Sequence, residues 1–439
     1  MKVSALWMIA VTVALKIPVC AQPPFQLQIK ESAFPGFPAL QSMAVGVWNN
    51  HWILIGGRTD GLHKRQPFAS FSTEGMNRFI YVVNVQTQQV WKHETANLPA
   101  PLREQLQSSN MQFAQHDSML VLTGGYSYSY SKSDHITHPY LTVVQLPRLL
   151  HAIKNGGDPS TCFLQKENEA MAVTGGRLAY ANGTWYLAGG QKFTGRYNPH
   201  GPDHGPGFEQ VYTNAIRRFM FNVSRADISI SLMPEWRDTN VLHRRDYNLL
   251  PQHKPDGSPY FTMYSGVFRP DVDQPFTTLV HFDASGFNEQ QGFAQYYNHY
   301  HTAALPAFSK KAGISYAVFF GGIAQYYVNE KGKKESDNNV PFVNTISVVE
   351  RGPNGTQEHV LPVNMPALLG ASAEFVPAST APFNVQGVLD MDNLGKKPLL
   401  VGYIIGGIES DAPNVFWGPP MRNDSRATGR IFEVYVSRR

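Results

Sequence analysis

One short pattern recurs along this chain and restricts its architecture more than any other feature: an apolar run closed by two glycines. It reads HWILIGG (51–57), SMLVLTGG (118–125), TWYLAGG (184–190), YAVFFGG (316–322) and VGYIIGG (401–407), with YFTMYSG (260–266) carrying Ser265 in place of the first glycine. Runs this short, rich in Ile, Val, Leu, Phe and Tyr, cannot complete a helix. They predict strands buried on both faces, ended by glycine where the backbone must bend or pass close to a neighbour. The recurrences stand roughly 55 to 85 residues apart, long for one repeat of a β-rich array and explained by extended loops.

After each glycine pair comes a polar stretch and then a second apolar run, as in RFIYVVNV (78–85), AIRRFMFNV (215–223), TTLVHF (277–282) and NTISVVE (344–350). This order resembles the kelch repeat of secreted bacterial propellers in the galactose-oxidase-like central propeller superfamily. The resemblance covers nearly the whole chain after its leader, although the aromatic pair that kelch repeats carry beyond the glycines is incomplete, with Trp91 conforming and most blades lacking it. It implies an all-β fold, a six-bladed kelch-type β-propeller with four strands per blade. The blades would span 41–99, 108–164, 174–236, 244–291, 298–362 and 370–439. The last supplies only three strands, whereas residues 25–32 form a strand with no blade before them, so the N-terminal strand is expected to complete the last blade and close the ring. The stretch 146–157 has Leu149, Leu150 and Ile153 on one side and a glycine stop, and predicts a helix.

Residues 1–21 read as a signal peptide: Lys2, an apolar stretch to Leu15, and small residues Val19 and Ala21 before Gln22. Residues 22–439 then form a single domain, secreted or periplasmic. The rival reading is a lipoprotein tethered through Cys20, but Ile17-Pro18-Val19 lacks the small residue that lipidation favours before the cysteine. Loss of Lys2 and Lys16 with the leader lowers the formal charge of +4 to 4 − 2 = +2, which argues against nucleic acid as a partner. No later stretch is long enough to span a bilayer. Cys162 is left as a single, buried thiol.

The polar segments after the glycine pairs, 58–77, 126–140, 191–210, 323–342 and 408–425, are long and fall on one face of the expected propeller, where function gathers. They include the tyrosine-rich YSYSYS and QYY (325–327), with Trp417, as candidate sugar-stacking groups, and an irregular Gly/Pro loop holding His200, Asp203 and His204. Prolines 251, 306 and 377 align three innermost strands. Counting back five residues gives Asp246, His301 and Ser372; counting back seven gives Arg244 and His299; a looser alignment adds Asn110. If alternate residues share a face, these converge on the channel mouth. Arg244, Arg245 and Asp246 could clamp a carboxylate through the planar guanidinium fork. His299 and His301 could ligate a metal, but without a third aligned histidine or a cysteine no metal or other cofactor is expected.

The reading is therefore a monomeric propeller that binds a glycan, peptide or partner protein at its long-loop face and channel mouth. The alternative implied by the resemblance is a sugar-modifying enzyme of the sialic-acid epimerase type. A metal-dependent oxidase resembling galactose oxidase would need a Cys–Tyr crosslink beside the metal, and Cys162 falls near an outer strand. Mass spectrometry of the exported protein should find Gln22, free or cyclised, at the N-terminus. An acylated Cys20 would instead establish the tethered form.

Overall fold

The computed structural model describes residues 22–64, 69–197, 207–224, 227–329, 331–416 and 424–439. The leader, with Cys20 and its cleavage site, lies outside them, as do His200, Asp203, His204 and Trp417. The chain is all-β, built of antiparallel sheets. Four consecutive strands, Ala44–Trp48, His51–Ile55, Phe79–Asn84 and Val90–Glu94, make the first sheet in sequence order. The second joins Ser109–His116, Met119–Ser129, Tyr140–Gln145 and Phe163–Glu167. The third joins Arg177–Ala181, Thr184–Ala188, Ala215–Val223 and Ile228–Leu232. Asn248–His253, Pro259–Tyr264, Leu279–Asp283 and Gly286–Glu289 form the fourth. Ala304–Ser309, Ile314–Ile323, Phe342–Gly352 and Gly355–Asn364 form the fifth. The sixth comprises Glu374–Pro377, Leu399–Ile405 and Ile431–Arg438, with Phe25–Ser32 as its outer strand.

Each apolar run before a glycine pair is the second strand of its sheet, and its continuous hydrophobicity follows from burial on both faces. In His51–Ile55, Ile53 and Ile55 pack towards Leu120 and Leu122 of the second sheet. Trp52 and Leu54 pack the other way, against Val376, Ile405 and Ile431 of the sixth. Further apolar layers join the second sheet to the third, the third to the fourth, the fourth to the fifth and the fifth to the sixth. The glycines allow the sheets to meet. A Cβ on Gly124 would lie 1.8 Å from the carbonyl oxygen of Val173, and one on Gly321 would lie 2.1 Å from that of Leu369. Neither backbone oxygen can yield to a side chain.

Several polar segments on the glycine side are themselves sheet. Asp134–Thr137, Gln191–Thr194 and Glu209–Tyr212 extend the second sheet beyond its glycines, and Leu368–Ala371, Ile408–Ser410 and Ser425–Ala427 form a small sheet of their own. Leu146–Lys154 is helical, with Leu149, Leu150 and Ile153 buried between the first two sheets. A second helix, Ala100–Leu106, connects the first sheet to the second. No helix among the described residues is long and apolar enough to cross a membrane.

At the opposite ends of the strands, residues 378–398 cross from the sixth sheet to its neighbours. Leu389 and Asp390 pair in parallel with Ala307 and Phe308. Asn384 Nδ2 lies 2.8 Å from His253 Nε2, and Ser379 donates to Asn50 Oδ1 at 3.0 Å.

The first and last strands pair along their full length, from Phe25 opposite Arg438 to Ser32 opposite Ile431, and Arg430 binds Glu31 through two hydrogen bonds of 2.8 and 2.7 Å. Phe25 and Leu27 are buried in the layer between the fifth and sixth sheets. Replacing Phe25 by alanine should cost about 3 to 5 kcal/mol in denaturant unfolding. Deleting residues 25–32 should leave an aggregation-prone edge, visible by size-exclusion chromatography. An unchanged melt of the deletion protein would show that this strand does not hold the two ends together.

Candidate functional site

Six left-handed residues, one at the start of each sheet, organise the glycine side of the molecule. They are Ser42 (φ 55°), Asn110 (53°), Gly175 (66°), Asp246 (52°), His301 (25°) and Ser372 (58°). Backbone hydrogen bonds link them from sheet to sheet. Asn110 N–H donates to Ser42 O at 3.1 Å, Ser42 to Ser372 at 3.1 Å, Ser372 to His301 at 2.6 Å, His301 to Asp246 at 3.1 Å and Asp246 to Gly175 at 2.7 Å. Between Gly175 and Asn110 the contact is made by the Thr174 hydroxyl, 3.4 Å from Asn110 O.

Above these residues opens a cavity of ≈ 620 Å³, reached by the side chains of Asn110, Asp246, His301 and Ser372. Arg245 also lines it. Its Nε donates to the Tyr212 hydroxyl at 3.1 Å, its Nη1 binds the Asp246 carboxylate, and its guanidinium stands 5.2 Å from the Phe268 ring centre. Burial alone would lower the basicity of Arg245. Tyr212, Asp246, Tyr197 and Tyr300 around it outweigh that effect, so it remains a fixed cation.

Part of the cavity wall is aromatic. His63 stacks on Phe71 with centroids 5.2 Å apart and meets Tyr197 edge-on at 4.8 Å. Three segments that follow glycine pairs lock this wall in place. Ser70 Oγ donates to Tyr197 O at 2.6 Å, Arg196 Nε to Ser70 O at 2.8 Å, and the Tyr126 hydroxyl to Gly195 O at 2.7 Å. Burial holds His63 neutral by pulling it down to about 4 and raises the Tyr197 hydroxyl, so the wall carries no charge near neutrality.

Asn110, Arg245, Asp246, His301 and Ser372 line the cavity; Arg244 and His299 do not. Arg244 is wholly buried in the fourth sheet, with Nη1 donating to Ser265 O at 2.8 Å and Thr278 O at 2.7 Å. His299 is equally buried, its Nδ1 2.5 Å from Gly321 O and its Nε2 2.8 Å from Ser347 Oγ. The expected alternation fails because Asp246, His299 and His301 have positive φ, and a left-handed residue ends the strict two-residue period of a strand. The two histidines therefore do not converge. Among the described residues no group of three or more His, Cys, Asp or Glu side chains could hold a metal ion. Cys162 is buried between the first two sheets, away from the cavity, and the tyrosines of QYY do not line it.

Sequence reasoning missed two groups beneath the cavity, Glu374 and Arg177. Glu374 Oε1 lies 3.3 Å from His301 Nε2 and 3.3 Å from Arg177 Nη1, so the sixth, fifth and third sheets meet in one charged cluster. Each stands two residues beyond a left-handed position, Ser372 or Gly175. Extending the proline alignment by two residues would have reached Glu374.

No protein-family model matches the chain, and no curated protein matches it. Among solved structures, one titled "Structure of YjhT" is similar, with 12% sequence identity over 75% of this chain and 86% of that chain, at a TM-score of 0.44.

Arg244 and Arg245 should part company on mutation. Arg244→Ala removes a buried cation from a set of backbone acceptors and should lower stability by about 3 to 5 kcal/mol. Arg245→Ala should cost clearly less, because cavity water can reach the Asp246 carboxylate it leaves. Comparable melting temperatures for the two variants would contradict these placements.

Proposed function

We propose that this chain is a six-bladed kelch-type β-propeller, exported after cleavage behind Ala21, that binds a small anionic, hydroxyl-bearing ligand at its axial mouth. Six successive four-stranded sheets, apolar layers that return from the sixth to the first, and the Phe25–Ser32 pairing support the ring. The cavity falls in the size range of small-molecule sites, which favours a sugar acid or short peptide over a folded partner.

The observation that carries this reading is Arg245. Asp246 and Tyr212 hold its guanidinium in place while it lines the cavity, and the aromatic residues of the same cavity could cover the face of a sugar ring. A ligand carboxylate would add a charge-assisted contact to Arg245 that a neutral sugar cannot supply. The second reading, an enzyme of the sialic-acid epimerase type, is favoured by the titratable groups Asp246 and His301 at the same cavity.

Calorimetry with D-galacturonate and D-glucuronate, against D-galactose and D-glucose, tests the reading. The acids should bind, their neutral parents should bind at least about tenfold more weakly, and Arg245→Ala should abolish the difference. Equal binding of acids and parents, or an unaltered Arg245→Ala protein, would sink it.

A further inference from the structure

The charged cluster under the cavity gives His301 a property that anion binding alone does not require. Glu374 is a carboxylate that only accepts hydrogen bonds: burial favours its neutral form, but Arg177 and His301 outweigh this and hold it below the usual range. Its contact with His301 Nε2 therefore fixes the proton of the neutral imidazole on Nε2. Nδ1 is left with a bare lone pair. Among the described residues nothing hydrogen-bonds to it, and the His301 side chain lines the cavity that Arg245 also lines. His301 N–H also donates to the carbonyl oxygen of Asp246, the residue after Arg245, at 3.1 Å.

From this geometry we infer that the cavity is a proton-coupled anion site, in which His301 takes up one proton at Nδ1 when a carboxylate-bearing ligand binds. The inference rests on the reading of the cavity as an anion site. The step balances simply. A solvent hydronium gives its proton to Nδ1, an N–H bond forms as an O–H bond breaks, and water leaves. The imidazolium then donates that N–H to the bound anion. Glu374 and Arg177 are positioning residues, the first fixing the tautomer and favouring the cation, the second fixing Glu374.

The groups facing His301 agree with this role. Burial, and then Arg177, lower its basicity below the ordinary histidine range, while Glu374 and Asp246 act in the opposite direction. The empty site thus holds a neutral imidazole near neutrality, and an arriving anion raises its proton affinity. Ligand binding should tighten as pH falls and weaken as pH rises, by up to about tenfold per pH unit.

Calorimetry with D-galacturonate near pH 6, in buffers of different ionisation enthalpy, reads the proton directly. Uptake should approach one proton per ligand bound, vanish in His301→Gln and fall in Glu374→Gln, where the carboxylate no longer supports the imidazolium. Binding without proton uptake overturns the inference and leaves the anion site standing. No binding of galacturonate or glucuronate removes both. A second measurement needs no ligand: diethyl pyrocarbonate should acylate His301 and spare His299, as read by peptide fragmentation. Protection of His301 in the folded protein would show that Nδ1 is not presented to the cavity.

Discussion

The constraint on which the rest of this structure depends is the entry of each first strand through a left-handed residue. An extended strand satisfies its backbone groups within its own sheet. The residue that leads into it has a free N–H and carbonyl to spend elsewhere, and here they join the neighbouring sheet. Ser42, Asn110, Asp246, His301 and Ser372 adopt that conformation although none is glycine, a strain of order 1 kcal/mol or more each. The sheet-to-sheet hydrogen bonds offset the strain. Because the backbone is committed in this way, the side chains at these positions are turned out of the strand pattern and into the cavity.

The same constraint explains what could be read from the sequence and what could not. Burial on both faces leaves a plain mark, so the six apolar runs were legible, and the glycines mark contacts where a carbonyl of the next sheet leaves no space for Cβ. Ser265 escapes because the fourth sheet uses the position differently, its hydroxyl donating to Phe276 O at 2.8 Å and its carbonyl accepting from Arg244. Proline alignment found Asp246, His301 and Ser372 because it counts residues. The rule that alternate residues share a face then failed at Arg244 and His299, because it assumes an unbroken strand. Asp134–Thr137 pairs with Gln191–Thr194 across more than fifty residues of chain, and no local signal in either segment predicts its partner.

Arg244 and Arg245 show how little residue type decides without placement. They are adjacent and chemically identical, yet the first is enclosed by carbonyls and the Phe276 ring while the second borders a cavity. Burial pulls the basicity of Arg244 down to about 9, because the nearest carboxylate, Glu289, stands 3.4 Å away and offsets only part of the lost hydration. For Arg245 the nearby acidic groups outweigh burial. A cation sealed among neutral carbonyls staples strands together. One paired with a carboxylate at the edge of a cavity is available to a ligand.

The far end of the strands bears on what such a ligand can be. Residues 378–398 pair with the innermost strand of the fifth sheet and reach His253 of the fourth and Asn50 of the first. In the proposed ring these three contacts lie on the side away from the mouth. Arg177, Glu374 and His301 form a cluster that ties three sheets together next to the cavity that His301 lines. A cavity of ≈ 620 Å³ that Arg245 lines together with His63, Phe71 and Tyr197 suits a compact molecule better than a long polymer.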